Sequence, residues 1–206
     1  MESDTRADHI IEVATRLFAG LGFDATSTLL VAEAAGVDTA TLNATVGGRA
    51  ELYQTVMLRA HQAEREALRV AMTSFTPTIE GVLDLADAYL DFYAENPHIL
   101  ALWLHRWLGD ASDVDSLEES YTRPLFTMVA GPLRDAVADE VDLDYLIWTV
   151  VWSVHGFLSG GMVYSDPRRY PGRDQQRGPG ASPAAIEDFR SYLHRFLGRM
   201  LVFKNP

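Results

Sequence analysis

The stretch TSTLLVAEAAGVDTATLNATVGGR, residues 26–49, most constrains what this chain can fold into, because its punctuation residues divide it into two short helices. Thr26 or Ser27 can cap the first helix, since a hydroxyl accepts hydrogen bonds from first-turn amides. Gly36 can end that helix in the left-handed conformation. Asp38 can then cap the second helix and suits the positive end of its dipole. The pattern predicts two short helices joined by a tight turn.

The second short helix has little side-chain bulk outside Leu42, because its other residues are small or polar. A short helix with one buried residue and a lean polar face can enter the major groove of DNA. We therefore interpret residues 26–49 as a helix-turn-helix.

A wider set of residues matches a known family in type and spacing: Ala14, Leu17, Phe18, Gly22, Phe23, Thr26, Ser27, Val31, Ala32, Ala34, Ala35, Gly36, Val37, Thr41, Leu42, Arg49 and Leu52. With these residues the chain resembles TetR/AcrR-type transcription regulators over roughly its first quarter. The resemblance implies an all-α fold of about nine helices. It places a three-helix helix-turn-helix DNA-binding domain at residues 1–48 and a helical ligand-binding and dimerisation domain at residues 49–206.

The resemblance also implies which residues meet double-stranded DNA at a near-palindromic operator. We expect Thr39, Thr41 and Asn43 to approach bases, with Ala40 beside them on the same helix. We expect the phosphates to be held by Thr26, Thr28, Thr45 and Arg49.

The predicted DNA-binding region, residues 1–53, which we call the head, departs from the family pattern in residue type and in charge. Asn43 stands where the family usually has an aromatic residue, and residues 1–53 carry three basic and eight acidic side chains, a net charge of −5. Phosphate contacts dominate affinity for DNA, so an acidic head disfavours binding. These observations motivate an alternative: a TetR-like protein with weakened or lost DNA binding that acts as a ligand-binding or partner-binding subunit.

The composition of the chain excludes several classes of site and of protein. The 206 residues carry a net charge of −12 and contain no cysteine, which excludes disulfides and zinc–thiolate sites. The first ten residues lack a signal-peptide core, and no apolar run is long enough to span a bilayer. We expect a cytoplasmic protein with no membrane partner.

Helical periodicity predicts the other elements. We expect helices at residues 5–21, 49–72, 79–95, 97–108, 116–139, 143–164 and 186–203, with the one at 116–139 kinked or divided by Pro124 and Pro132. Counting the two short helices as the second and third, helix eight is at residues 143–164 and helix nine at 186–203. Both are apolar on two faces, which indicates a homodimer formed through them. The alternative is that both are central in one monomer. Residues 166–183 predict an irregular loop that carries four arginines.

Helices five to eight concentrate aromatic side chains, and clefts of this kind between bundle helices are typical small-molecule sites. For most of these residues a core role remains open. The ligand-binding candidates, for a small apolar or aromatic effector, are Tyr89, Phe92, Trp103, Trp107, Tyr121, Phe126, Trp148, Trp152 and His155.

No motif of catalysis or of cofactor binding appears in the sequence. His98 and His105 are seven residues apart, but no acidic residue stands beside them at ligand spacing. We therefore expect no catalytic residue, no metal and no cofactor. A third hypothesis, an all-helical enzyme with a tryptophan-lined cavity, depends only on polar groups in that cavity.

Overall fold

The computed structural model describes residues 2–114, 116–162 and 181–204, with side chains from Thr5 onward, and this part of the chain contains nine α-helices and no β-strand. The helices are α1 (Glu2–Leu21), α2 (Thr28–Ala35), α3 (Thr39–Val46), α4 (Arg49–Met72), α5 (Ile79–Glu95), α6 (Pro97–Trp107), α7 (Arg123–Arg134), α8 (Leu143–Gly160) and α9 (Pro183–Met200). The predicted all-α fold is confirmed.

The region predicted as one broken helix at residues 116–139 is divided. A π-helical turn, Glu118–Thr122, leads into α7, whose first turn holds Pro124. The prediction was wrong beyond Arg134, because residues 136–138 pair with residues 202–204 at the end of the chain. The Ala138 amide donates to the carbonyl of Val202 at 2.8 Å. The same pairing ends α9 at Met200, three residues before the predicted end.

The first packing unit comprises the residues up to Ala63 together with His98–Tyr121. Within it α1 packs against α2 and α3. Ile10, Phe18 and Leu42 are fully buried, so the two short helices share one core with the helix before them.

The second packing unit comprises Glu64–Pro97 and the residues from Thr122 onward. Within it α5 packs against α8 and α9, and α7 packs against α8. On one side of this core, Arg190 of α9 lies 3.1 Å from the Asp87 carboxylate and 2.5 Å from that of Asp91, both on α5. Because α4 contributes residues to both packing units, the functional boundary after residue 48 stays a prediction.

None of the helices among the described residues combines the length and apolar character needed to cross a bilayer. The predicted loop at residues 166–183, with its four arginines, falls outside the described residues except for its last three positions.

Candidate nucleic-acid interface

The turn between α2 and α3 is built by the residues that the sequence pattern singled out. The Ser27 hydroxyl accepts from the Leu30 amide at 3.1 Å and caps α2. Gly36 ends α2 at φ +69°, a left-handed conformation that glycine adopts without strain. The Asp38 carboxylate accepts from the Thr41 amide at 2.7 Å and caps α3. This hydrogen bond lowers the pKa of Asp38. The predicted cap at Asp38 and the turn at Gly36 are confirmed.

The candidate DNA-contacting residues differ in how far they are exposed. Ala40 and Asn43 of α3 are exposed, whereas Thr28, Thr39, Thr41, Thr45 and Arg49 are half-buried. Thr26 is fully buried, and its hydroxyl donates to the carbonyl of Gly22 at 2.6 Å. Thr26 therefore supports the entry to α2 and has no surface to offer to a phosphate.

Arg49 is engaged within its own packing unit. Its guanidinium carbon lies 4.1 Å from the centroid of the Phe23 ring, a cation–π contact. The same group lies 3.5 Å from the carbonyl oxygens of Phe23 and Thr26, at the limit of a hydrogen bond. Arg49 thus ties the start of α4 to the segment between α1 and α2, and a phosphate would compete with these contacts.

Asp110 is a functional candidate that the sequence did not reveal. Its carboxylate accepts from the Phe23 amide at 2.6 Å and from the Asp24 amide at 2.9 Å. A Cβ on Gly22, which has φ +81°, would come within 3.1 Å of this carboxylate. The partners lie more than 80 positions apart in the sequence, so no local pattern could have signalled the pairing. Asp110 fixes the segment that leads into α2.

Arg106 supports the region around Asp110 in the same packing unit. Its guanidinium pairs with both carboxylate oxygens of Glu118, at 2.7 and 3.0 Å, and donates to the carbonyl of Ala111. The Arg106 hydrogen bond lowers the pKa of the Glu118 carboxyl. The chain between α6 and the π-helical turn is therefore held by charge-assisted hydrogen bonds, which are stronger than neutral ones.

The nine predicted ligand-binding residues divide between the two packing units. Trp103, Trp107 and Tyr121 belong to the first unit. The second unit holds the other six, which are Tyr89, Phe92, Phe126, Trp148, Trp152 and His155. The contacts of each group therefore indicate what it can do.

Tyr89 and His155 meet in the second unit, where the Tyr89 hydroxyl lies 3.0 Å from His155 Nε2. Tyr93 packs edge-on against both, with ring centroids 4.9 and 4.4 Å away. The Tyr93 hydroxyl is hydrogen-bonded to Glu64 and Tyr89. Burial raises the pKa of both tyrosines and lowers the pKa of His155 to about 3, so these groups are neutral at pH 7. This cluster can exchange hydrogen bonds with a neutral ligand.

A second aromatic group in the same unit extends along α8. Phe126 stacks on Trp148 at 6.2 Å, and Trp148 lies 5.7 Å from Trp152. Trp152 is 53% exposed, so this group reaches the surface of the chain.

The three candidates in the first unit have varied surroundings. Trp103 is buried, and its indole Nε1 has no hydrogen-bond partner among the described residues. Tyr121 stacks on His61 at 4.6 Å and also lines an open groove of about 790 Å³, formed by residues 50–58 of α4 and residues 113–121. The groove is lined by Glu51 and Asp113 as well as by apolar side chains, so its character is mixed.

The described residues contain no group of three or more histidine, aspartate or glutamate side chains that could hold a metal ion. His105, one of the two histidines on α6, has its Nε2 3.2 Å from the carbonyl of Ala19.

Comparison with known proteins adds to this geometry. Residues 10–56 match the family model described as "Bacterial regulatory proteins, tetR family". That range begins in α1, contains α2 and α3, and ends in α4. It therefore coincides with the part of the chain in which the caps, the turn and the exposed face of α3 lie.

Solved structures match nearly the whole chain. The TetR family transcriptional regulator PfmR from Thermus thermophilus is 22% identical, with a TM-score of 0.63 over 95% of this chain and 96% of that one. The ketosteroid transcriptional regulator KstR2 of Mycobacterium tuberculosis is 15% identical, with a TM-score of 0.65 over 96% and 95%. The fatty acid degradation regulator FadR from Bacillus halodurans is 15% identical, with a TM-score of 0.61 over 93% and 94%. No curated protein sequence matches the chain.

Proposed function

We propose that this chain, whose residues 10–56 match the model of the TetR family of bacterial regulatory proteins, is a cytoplasmic TetR-type repressor whose binding to operator DNA is controlled by a small apolar or aromatic effector. The observation that carries the proposal is the capped pair α2–α3, with Ala40 and Asn43 exposed and Leu42 buried. A helix presented in this way can lie in a major groove.

DNA recognition by a homodimer is the second part of the proposal. We propose that two copies associate through α8 and α9. Tyr145 and Trp152, seven residues apart on one face of α8, are 69% and 53% exposed. On α9, Tyr192 and Met200 are 52% and 49% exposed. Exposed apolar residues in such number favour a partner surface, and a two-fold dimer would present two α3 helices to a near-palindromic site.

The effector is the third part. Two proteins of similar structure are a ketosteroid transcriptional regulator and a fatty acid degradation regulator. For this chain we propose an apolar or aromatic ligand held in the second unit by the Tyr89–Tyr93–His155 cluster and by Phe92, Phe126, Trp148 and Trp152. Assignments of Trp103, Trp107 and Tyr121 as ligand contacts stay predictions. An effector releases DNA only when it binds the non-binding state more tightly.

The test of DNA binding is a mobility-shift titration of the purified protein against the DNA upstream of its own gene at low salt. We expect a saturable shift that an unrelated duplex of equal length does not compete away. Absence of any shift at micromolar protein would overturn the proposal.

The dimer has its own test. Sedimentation equilibrium should give twice the monomer mass for the unaltered protein and a monomer for Trp152→Glu. Leu108→Glu is the matched control, because Leu108 is 86% exposed in the first unit and lies outside the proposed interface. A dimer that persists in Trp152→Glu would place the interface elsewhere.

A second candidate function is a TetR-like subunit that binds a ligand or a protein partner but not DNA. The observations that favour it are the net charge of −5 over residues 1–53 and the internal contacts of Arg49. Ligand screening by thermal shift, followed by the mobility-shift assay, separates the two functions. A ligand that raises the melting temperature of a protein unable to bind DNA would favour the second. Neither proposed function involves catalysis.

A further inference from the structure

The solvent-exposed face of α3 carries few kinds of chemical group. Ala40, Asn43 and Ala44 are exposed at the three- and four-residue spacing that places side chains on one face of a helix. α3 contains no charged residue at all. The face therefore offers one carboxamide flanked by methyl groups.

Two of the hydroxyl groups on α3 are already bonded. The Thr41 hydroxyl donates to the Asp38 carboxylate at 3.0 Å, and the Thr45 hydroxyl donates to the carbonyl of Thr41 at 2.7 Å. Asp38 also accepts from the Thr41 amide at 2.7 Å. By contrast, no described residue is hydrogen-bonded to the Asn43 side chain, so both its donors and its acceptor are available.

The edges of the four base pairs differ in what they require from a protein in the major groove. Adenine pairs with the carboxamide of asparagine through N6 and N7, and the thymine methyl group accepts contact from alanine or threonine methyl groups. Guanine is read by arginine or lysine, and cytosine by a carboxylate. α3 therefore has the residue types that read A·T base pairs and lacks those that read G·C base pairs.

We infer that each head reads an A·T-rich half-site, in which Asn43 recognises an adenine and Ala40 and Ala44 lie against thymine methyl groups. This inference rests on the proposed function, since it names the sequence class that the same surface would bind. It makes Asn43 the residue that determines base specificity.

The charges of residues 1–63 point to a second property of the same interface. Residues 1–63 contain four arginines and no lysine. Arg16 pairs with Glu12 at 2.7 Å, Arg59 pairs with Asp8 at 2.6 Å, and Arg49 lies over Phe23. With so few cations for phosphates, base contacts contribute an unusually large part of the affinity. If about two cations per head reach phosphates, log K should fall with log salt at a slope no steeper than about −4 for a dimer.

The experiment selects binding sites from a duplex pool of random sequence with the full-length protein, and then measures affinity for the selected duplex as a function of salt. We expect A·T-rich half-sites related by a two-fold axis. Replacing the adenine assigned to Asn43 by guanine should weaken binding about tenfold.

Two variants of Asn43 test the assignment. Asn43→Ala should lose the tenfold preference at one position of each half-site and keep the others. Asn43→Arg should shift that position to guanine and steepen the salt slope by about 2 for a dimer, one cation for each head. Gln62→Ala is the control, because it removes an exposed carboxamide from α4 and should alter neither preference nor slope.

The outcomes separate this inference from the proposed function. Tight binding to G·C-rich sites, or an unchanged preference in Asn43→Ala with a native melting temperature, overturns the inference and leaves the DNA-binding function standing. Failure to select any sequence at low salt overturns both.

Discussion

Two buried aromatic clusters, one in each packing unit, are built on opposite principles. In the first unit Phe18, Phe23 and Tyr53 pack with ring centroids 4.8–5.9 Å apart, and the Tyr53 hydroxyl has no hydrogen-bond partner in the described part of the chain. In the second unit, Tyr89 is hydrogen-bonded to His155 at 3.0 Å. The rings of the first cluster pack without a hydrogen bond between them, and Arg49 lies over one of them, whereas the rings of the second are joined by a hydrogen bond.

The difference indicates what each cluster is for. Ring packing without hydrogen bonds gives a rigid support. It includes Phe18 of α1, the helix that packs against α2 and α3, and Phe23, over which Arg49 lies. A buried polar network is more costly to disturb piecemeal and can rearrange its bonds when a ligand arrives. The second cluster is therefore the better candidate for binding an effector, and the first cluster is the better candidate for supporting α2 and α3.

The largest effect should come from removing a ring of the first cluster. Phe18→Ala deletes a fully buried side chain and should lower the free energy of unfolding by about 3–5 kcal/mol. Urea denaturation measures the loss. Leu29→Ala is the control, since Leu29 is 57% exposed and its loss should cost less than about 0.5 kcal/mol. Equal losses in the two variants would show that the first cluster is not a core.

Acid should act on the second cluster. Burial lowers the pKa of His155 to about 3, below its value near 6.5 in an unfolded chain, so the unfolded state binds the proton more readily. Stability is then full above pH 6.5 and falls as the pH drops through 6.5 towards 3. This histidine alone should remove about 2 kcal/mol between pH 7.5 and pH 5.

Substitution of His155 isolates this contribution from that of the other titrating groups. His155→Gln retains a hydrogen-bonding group near the Tyr89 hydroxyl but cannot titrate. The difference in unfolding free energy between pH 7.5 and pH 5 should therefore be smaller in this variant. An identical pH dependence in both proteins would contradict the assignment.

The same loss of a hydroxyl should have unequal effects in the two clusters. Tyr89→Phe removes the partner of His155 Nε2, so it should lower the free energy of unfolding by about 1–2 kcal/mol. It should also weaken binding of any effector found by thermal shift. A melting temperature equal to that of the unaltered protein would show that the hydrogen bond is not part of the stabilising network.

Tyr53→Phe should give the smallest change, within about 0.5 kcal/mol of the unaltered protein or slightly more stable. The Tyr53 hydroxyl is buried without a partner among the described residues, so its removal leaves no bond unmade. Thermal denaturation of Tyr53→Phe beside Tyr89→Phe makes the contrast direct. A destabilisation of Tyr53→Phe as large as that of Tyr89→Phe would remove the distinction between the clusters.

The features predicted correctly from sequence are those with local causes. Ser27, Gly36 and Asp38 act on amides within a few positions of themselves, so their capping roles are legible in the sequence. The bounds of α4 and α5 were also predicted, because Gly48 marks the start of α4 and Asn96 marks the end of α5.

The features missed depend on residues far apart in the chain. The hydrogen bonds of Asp110 to the amides of Phe23 and Asp24 leave no periodic trace, and neither does the bond between Tyr89 and His155. The phosphate contact of Arg49, expected because its position fits the family pattern, stays a prediction, but that position did not reveal the neighbouring Phe23 ring. Likewise, the end of α7 depends on residues 202–204, which follow it by almost 70 positions.

Lys204, at the pairing of residues 202–204 with residues 136–138, forms an ion pair with Asp139 at 2.9 Å and is the sole lysine in the 206 residues. Acetylation, which silences cationic side chains on many nucleic-acid-binding surfaces, thus has no side-chain target on the reading head of this protein. The same arrangement is useful in the laboratory, because an amine-reactive dye would modify one side chain, on the second unit, in addition to the α-amino group of the chain, and would leave the side chains of α3 unmodified.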